Sequence, residues 1–265
     1  MRAEILDPLA LSDTSPDLAG GPDDELAAGH TALSYATERR VIDHVGTAAL
    51  APATGFLATA ADLVAFYSAL LPGDDRLLGD DTQRQLRHRI WDVRKAESWY
   101  GLGVSLLRVG EHDLFGHGGG FPGHITRTLA CPKRRVVAAV LTNAIDGPAE
   151  PLATALFSLL DATDSASHQL APDGARFVGR FANLWGVLDV ALLGGRLFAL
   201  NPMVANPADD PVALEVVDGS TLRMVSGPGS GSIGESMHYE FAADGAIRSV
   251  RGGSAMTMHP FEIPG

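Results

Sequence analysis

The sequence predicts an α+β chain. Strands and helices that share one core occupy residues 1–162, and a small antiparallel β domain, a barrel or a sandwich, occupies 173–265. Three observations carry this. Val136–Leu141, VVAAVL, is a continuously apolar run, as in a strand covered on both faces. Residues 60–71 and 148–160 repeat apolar side chains at helical spacing. After residue 172 short alternating runs are joined by Gly194-Gly195, Asp218-Gly219 and Asp244-Gly245, each a hairpin signal.

In chain order, residues 1–53 are rich in Pro, Gly, Asp and Ala with little periodicity, and read as loop with short helices. Thr59 is placed to cap a helix over Ala60–Leu71, with Leu63, Phe66, Leu70 and Leu71 on one face and Pro72-Gly73 as its stop. A second helix is predicted over Asp81–Arg89, and strands over 101–109, 123–131 and 134–142. Pro148 opens a helix to about Leu160, with Leu152, Leu156 and Leu159-Leu160 as its buried stripe. Asp164–Pro172 reads as a polar linker. Beyond it LDVALL/RLFALN, VALEVV/TLRMVS and MHYEFA/AIRSVR pair across the three turns.

The formal charge of −12 argues against nucleic acid and anionic membrane partners. The acid is dispersed in loops such as Asp23-Asp24-Glu25 and Asp209-Asp210, which serves solubility. The single cysteine, Cys131, excludes an internal disulfide; within a strand beside Pro132 it is expected to be buried and inert. No apolar run approaches the ~20 residues that cross a bilayer, and Met1–Asp13 lacks the apolar core of a signal peptide. Compartment is not specified beyond a cytoplasmic default.

The segment Gly116-His117-Gly118-Gly119-Gly120-Phe121-Pro122-Gly123-His124 reads as the end of a strand entering a glycine-dense turn. Glycines let a backbone approach a ligand, consecutive N–H groups can hold an anion, and a histidine adds a donor. Its flanks are Gly55-Phe56-Leu57-Ala58-Thr59-Ala60-Ala61-Asp62-Leu63, Tyr100-Gly101-Leu102-Gly103-Val104, Gly123-His124-Ile125, Ala130-Cys131-Pro132 and, at the start, Ile5-Leu6-Asp7-Pro8-Leu9 with Asp13-Thr14. In this order and spacing the set resembles the serine β-lactamase-like family, which holds class C β-lactamases, D-alanyl-D-alanine carboxypeptidases and related esterases. The resemblance covers roughly residues 1–162 and implies a β-lactamase-like α/β domain, an antiparallel sheet with helices. The β domain is similar to the appendage that follows the catalytic domain in some members, and Glu235 in Ile233-Gly234-Glu235 resembles a recurring structural turn of it.

His117-Gly118-Gly119 falls where the family carries its third active-site motif, Lys-Thr-Gly or His-x-Gly. The resemblance implies that Gly120 is an oxyanion donor, that His117 orients substrate or its proton network, and that Gly118, Gly119 and Phe121 line the substrate's path. The other two motifs are missing. Three residues before Lys95 and Lys133 stand Asp92 and Ala130, so no Ser-x-x-Lys exists. Two residues before Asn143, Asn183, Asn201 and Asn206 stand Leu141, Phe181, Ala199 and Val204, so neither Tyr-x-Asn nor Ser-x-Asn exists. Ser230 and Ser232 in GPGSGSIGE read as turn serines. His112, His117 and His124 lack the spacing of a helical zinc pair, so no metal or other cofactor is implied.

Two expectations from different classes follow. The first is the C-terminal portion of a serine hydrolase of esters or amides, inactive alone. The second is a non-catalytic module that binds a small acyl ligand or a partner. In the family the strand matching 134–142 pairs with 123–131 on one side and with the protein's first strand on the other. That first strand and the N-terminal helix find no match here. Val136–Leu141 is therefore expected to present an open edge, with the leucines of 148–160 poorly covered, favouring self-association, pairing with a separate N-terminal chain, or poor solubility.

Overall fold

The computed structural model describes residues 1–16, 26–34, 36–93, 97–164, 170–204, 206–208, 211–226, 233–252 and 256–262. Lys95, Ser230, Ser232, the acidic runs at 23–25 and 209–210, and residues 165–169 of the expected linker lie outside them. The chain divides into two compact units, Met1–Thr154 and Ala155–Gly265, and the division falls inside a helix.

The first unit starts with a π-helical turn, Arg2–Leu6, that runs into α1 (Asp7–Leu9). Two short ribbons follow, β1 (Ser15–Pro16) with β4 (Phe56–Leu57) and β2 (Gly29–His30) with β3 (Val41–Ile42). Helix α2 is Ala60–Ser68, and Thr59 caps it: its hydroxyl accepts from the Asp62 N–H at 3.2 Å. The buried Asp62 carboxylate in turn accepts from the Thr14 hydroxyl at 2.7 Å and the Asp13 N–H at 3.0 Å. Two segments 48 residues apart, each part of the sequence pattern above, are thus one structural joint. Helix α3, Asp80–Leu86, is shorter than expected. Leu86 O instead accepts from the Leu102 N–H at 3.0 Å, where the chain returns as sheet.

That sheet is an antiparallel meander of β5 (Trp91–Asp92), β6 (Ser98–Tyr100), β7 (Ser105–Val109), β8 (His112–Phe121), β9 (His124–Cys131) and β10 (Val136–Thr142), in spatial order β10-β9-β8-β7-β6-β5. The expected strand 101–109 begins only at Ser105, because Gly101–Val104 is a turn closed by Gly101 N–H to Val104 O at 2.9 Å. Val137, Ala130, Phe115 and Leu106 stand in register across four strands. With Tyr67, Leu70 and Leu71 they form one apolar cluster. Each large side chain fully buried there contributes about 1.5–3 kcal/mol. Cys131 is fully buried and its sulfur lies 3.8 Å from His112 Nδ1.

The glycine segment corrects the first expectation. It is not a turn but the second half of β8: pairing with β9 continues to Phe121↔His124, and only Pro122-Gly123 turns. Gly123 takes φ +86, which favours glycine. The glycines suit a strand because β9 crowds them: a Cβ on Gly116 would meet Thr128 O at 1.9 Å, and one on Gly119 would meet Thr126 Oγ1 at 2.6 Å.

Helix α4, Ala149–Asp164, corrects a second expectation. Ala149, Ala153 and Phe157, four residues apart, are fully buried, whereas Leu152 and Leu156 are 43% and 46% exposed. The expected stripe follows the largest aliphatic side chains. The helix instead turns inward a face of two alanines and one phenylalanine.

The second unit is a closed eight-stranded antiparallel barrel of β11 (Gly179–Asn183), β12 (Gly186–Leu193), β13 (Arg196–Leu200), β14 (Val212–Asp218), β15 (Thr221–Ser226), β16 (Ser236–Phe241), β17 (Ile247–Arg251) and β18 (Thr257–Pro260). The three predicted hairpins are β12–β13, β14–β15 and β16–β17. Gly194 and Gly195 both have positive φ, 55 and 76, as a tight two-residue hairpin turn requires. Pairing of β18 with β11 closes the ring. Its interior is filled by Phe177, Phe181, Leu197, Leu222, Met237, Tyr239 and Val250.

Candidate functional site

The five residues singled out from sequence, His117, Gly118, Gly119, Gly120 and Phe121, all lie on the second half of β8. Strand register decides what each one offers. Val109 faces His112 across one two-residue turn, and Phe121 faces His124 across another. The closing pair of such a hairpin exchanges both backbone hydrogen bonds, and hydrogen-bonded pairs then alternate. Both turns give the same parity: even-numbered residues of β8 aim N–H and C=O toward β7, odd-numbered ones toward β9. The last β7 partner is Ser105, opposite Gly116. Gly118 and Gly120 therefore turn their backbone polar groups to an edge with no strand opposite them among the described residues. Gly119 and Phe121 spend theirs on Thr126 and His124. Gly119 and Gly120 are exposed.

His117 is exposed and held at both ring nitrogens. Nδ1 lies 2.6 Å from Gly118 O, and Nε2 lies 3.0 Å from the Tyr100 hydroxyl. The two rings meet edge-on with centroids 5.8 Å apart. Phe121 is half-buried, its ring 5.9 Å from that of His44. His124 serves the fold rather than the edge. Its Nε2 is 2.9 Å from Ala27 O, and His30 N–H donates to Gly123 O at 3.3 Å, so residues 27–30 are fastened over the β8–β9 turn.

Arg127, on β9 opposite Gly118, is 8% exposed. A Cβ on Gly118 would stand 3.4 Å from its Nη1. Burial draws the Arg127 pKa down, opposed by Glu150 and Tyr67. Its buried Nε has no hydrogen-bond partner among the described residues. Burial pushes the Tyr67 hydroxyl up to about 12, with Arg127 pulling the other way. Sequence reasoning gave no role to Tyr100 or Arg127. Both join the site through register, two strands and one strand away from the glycines, and no local motif marks that.

Among the described residues, no three His, Cys, Asp or Glu side chains are grouped to hold a metal, and no helix is long and apolar enough to cross a membrane. Each of the Gly118 and Gly120 N–H groups can donate to a carbonyl oxygen, but the two stand about 6.6–6.8 Å apart along the strand and do not share one. No serine, threonine or cysteine side chain among the described residues bonds either nitrogen of His117.

A family model described as Beta-lactamase matches residues 1–161. No curated protein matches the chain. Among solved structures, the octameric penicillin-binding protein homologue from Pyrococcus abyssi is 16% identical, with 97% of this chain aligned to 58% of that one at TM-score 0.50. The D-stereospecific amidohydrolase from Streptomyces sp. is 22% identical, with 54% of this chain aligned to 43% of that one at TM-score 0.48. The D-amino acid amidase from Ochrobactrum anthropi SV3 is 24% identical, with 54% aligned to 43% at TM-score 0.44. The chain thus spans less than two thirds of the length of each, and these likenesses concern fold alone.

Proposed function

The chain belongs to the Beta-lactamase family of serine hydrolases, and from that premise we propose that it binds the carbonyl of a small acyl ester or amide at the free edge of β8 without turning it over by itself. One observation carries the reading: the N–H groups of Gly118 and Gly120 face an open edge beside His117. Gly120 is the oxyanion donor and His117 borders the bound acyl group. Gly118 offers a separate N–H, about 6.6–6.8 Å along the strand, for another acceptor of the ligand. Gly119 helps only by lacking a side chain, and Phe121 closes the apolar end.

Inactivity follows from what the residues supply. An oxyanion donor contributes roughly 10²–10³ in rate when a nucleophile attacks, and this sequence has no Ser-x-x-Lys to provide one. The test is incubation of the purified chain with a fluorophosphonate probe, a labelled penicillin and a short-chain nitrophenyl ester. No stoichiometric labelling and no turnover above buffer are expected. Labelling of any serine, or turnover that survives repurification, overturns the reading.

A second reading concerns the other side of the sheet. β10 is an edge strand with no charged residue between Val136 and Thr142, and its Leu141 is 38% exposed. Such an edge is a template for a strand from a second copy or from a separate chain bearing the missing motifs. Sedimentation velocity tests it. Self-association, or capture of that separate chain, is expected. A stable monomer that ignores such a chain contradicts it.

A further inference from the structure

The hydrogen bonds at His117 fix more than its position. Gly118 O is a carbonyl and only accepts, so at 2.6 Å the His117 Nδ1 must carry the proton and donate. In the neutral ring Nε2 is then bare and can only accept, so across 3.0 Å the donor is the Tyr100 O–H. The chain Tyr100 O–H → Nε2, Nδ1–H → Gly118 O leaves neither imidazole nitrogen free. It also consumes the one proton of the phenol. The valences left are the lone pairs on the Tyr100 oxygen, which accept.

We infer that Tyr100 is a positioning residue that locks His117 in the Nδ1–H tautomer. The pair then offers a ligand a hydrogen-bond acceptor and no donor. The strand edge alongside offers donors, the N–H groups of Gly118 and Gly120, and one further acceptor, the Gly120 C=O. Gly118 O is already engaged by the imidazole. A ligand that satisfies both sides carries a carbonyl oxygen for one glycine N–H and an N–H for the Tyr100 oxygen. A carbonyl compound with an N–H is therefore preferred over the matching ester, which has no donor to give, and over a carboxylate, which would meet the phenol lone pairs head-on. This rests on the strand-edge reading above and adds the polarity of the ligand to it.

Tyr100 can do this because of where the sheet stops. Tyr100 faces Ser105, and Ser105 faces Gly116, so the phenol stands at the end of β6 level with the last residue of β8 that β7 covers. His117 is the next residue along. The Trp91 ring, 6.5 Å from that of Tyr100, backs the phenol from the far side.

The test has a part that needs no ligand. Long-range ¹H–¹⁵N correlation spectra of the full chain, at a pH where imidazole is neutral, distinguish a protonated from a bare ring nitrogen. The wild type should show His117 protonated at Nδ1 and bare at Nε2. Tyr100→Phe should release Nε2, moving its resonance and letting the two tautomers mix, while the amide spectrum of the barrel stays unchanged. His117 found as the Nε2–H tautomer, or a ring spectrum indifferent to Tyr100→Phe, overturns the inference. The second part titrates N-methyl-3-phenylpropanamide and methyl 3-phenylpropanoate, which differ only in the N–H, reading the amide shifts of Gly118 and Gly120. The amide should bind about fivefold more tightly, the worth of one neutral hydrogen bond. In Tyr100→Phe that preference should shrink, because the phenol oxygen is gone while the Gly120 C=O remains. Equal binding to the wild type overturns the polarity argument. If neither probe moves either glycine amide, the strand-edge reading falls and takes the ligand preference with it, while the ring spectrum still decides the tautomer.

Discussion

The two units solve the same problem in opposite ways. Each is built mainly from antiparallel strands, and every strand leaves a row of backbone groups that must find partners. In the barrel β18 returns to β11, so no edge remains. In the sheet two stretches have no strand opposite them among the described residues: the outer side of β10, and β8 beyond Gly116. The barrel pairs its own strands around the ring. The sheet is unfinished, and its unfinished stretches are where a ligand or a second chain can attach.

The largest expected effect sharpens that contrast by separation. Residues 155–265 made alone should fold with a β-type circular dichroism spectrum and a cooperative melt. Residues 170–265 should fold less stably, by about 1 kcal/mol, because Ala162 packs on Phe198 and Ala213. A disordered 155–265 would remove the basis for calling the barrel self-sufficient. Next comes the barrel core. Phe181 is 1% exposed within it, and Phe181→Ala should cost about 3–5 kcal/mol in a urea melt.

The sheet should respond according to position. Val137 packs against the α2 cluster, so Val137→Lys should destabilise by about 2 kcal/mol, from lost packing and a half-buried charge. Leu141→Lys, on the exposed part of the same strand, should shift stability by no more than about 0.5 kcal/mol yet reduce any association seen in sedimentation. Equal destabilisation by both would mean that the β10 edge is not open.

The smallest effect concerns the strap over the β8–β9 turn. Asp146 is held below the usual carboxylate range by the Arg39 guanidinium and then by the Leu33 N–H. A depressed folded-state pKa gives a contribution present above the unfolded value, about 3.9, and lost as pH falls through the folded value. The Leu33 amide resonance should therefore move as pH drops below about 3.9, with the barrel resonances unmoved. Asp146→Asn should abolish that response.

Much of this architecture is legible in residues. Gly194-Gly195, Asp218-Gly219 and Asp244-Gly245 mark three hairpins because few backbones other than a tight turn suit them. Thr59 announces its helix because its hydroxyl is placed to cap one. The glycines of β8 mislead, since density of glycine reads as turn. What makes them strand is the pairing with Ile125, Thr126, Arg127 and Leu129 of β9, which no local pattern carries. The stripe of α4 misleads because size stands in for burial, while the helix turns Ala149, Ala153 and Phe157 inward. At the site, the sequence locates His117 and the glycines but not the parity that separates Gly118 and Gly120 from Gly119. Nor does it show that Tyr100 and Arg127 arrive there from other strands.

Amide hydrogen exchange of the native chain tests the central claim most directly, because it reads open and closed backbone residue by residue. Along β8, Gly118 and Gly120 should exchange fast while His117, Gly119 and Phe121 are slow, and the central barrel strands should exchange only with global unfolding. A bound carbonyl compound should slow Gly118 or Gly120 and leave His117, Gly119 and Phe121 as they were. Equal protection across 117–121 without ligand would mean that the edge is already filled, and would contradict the account.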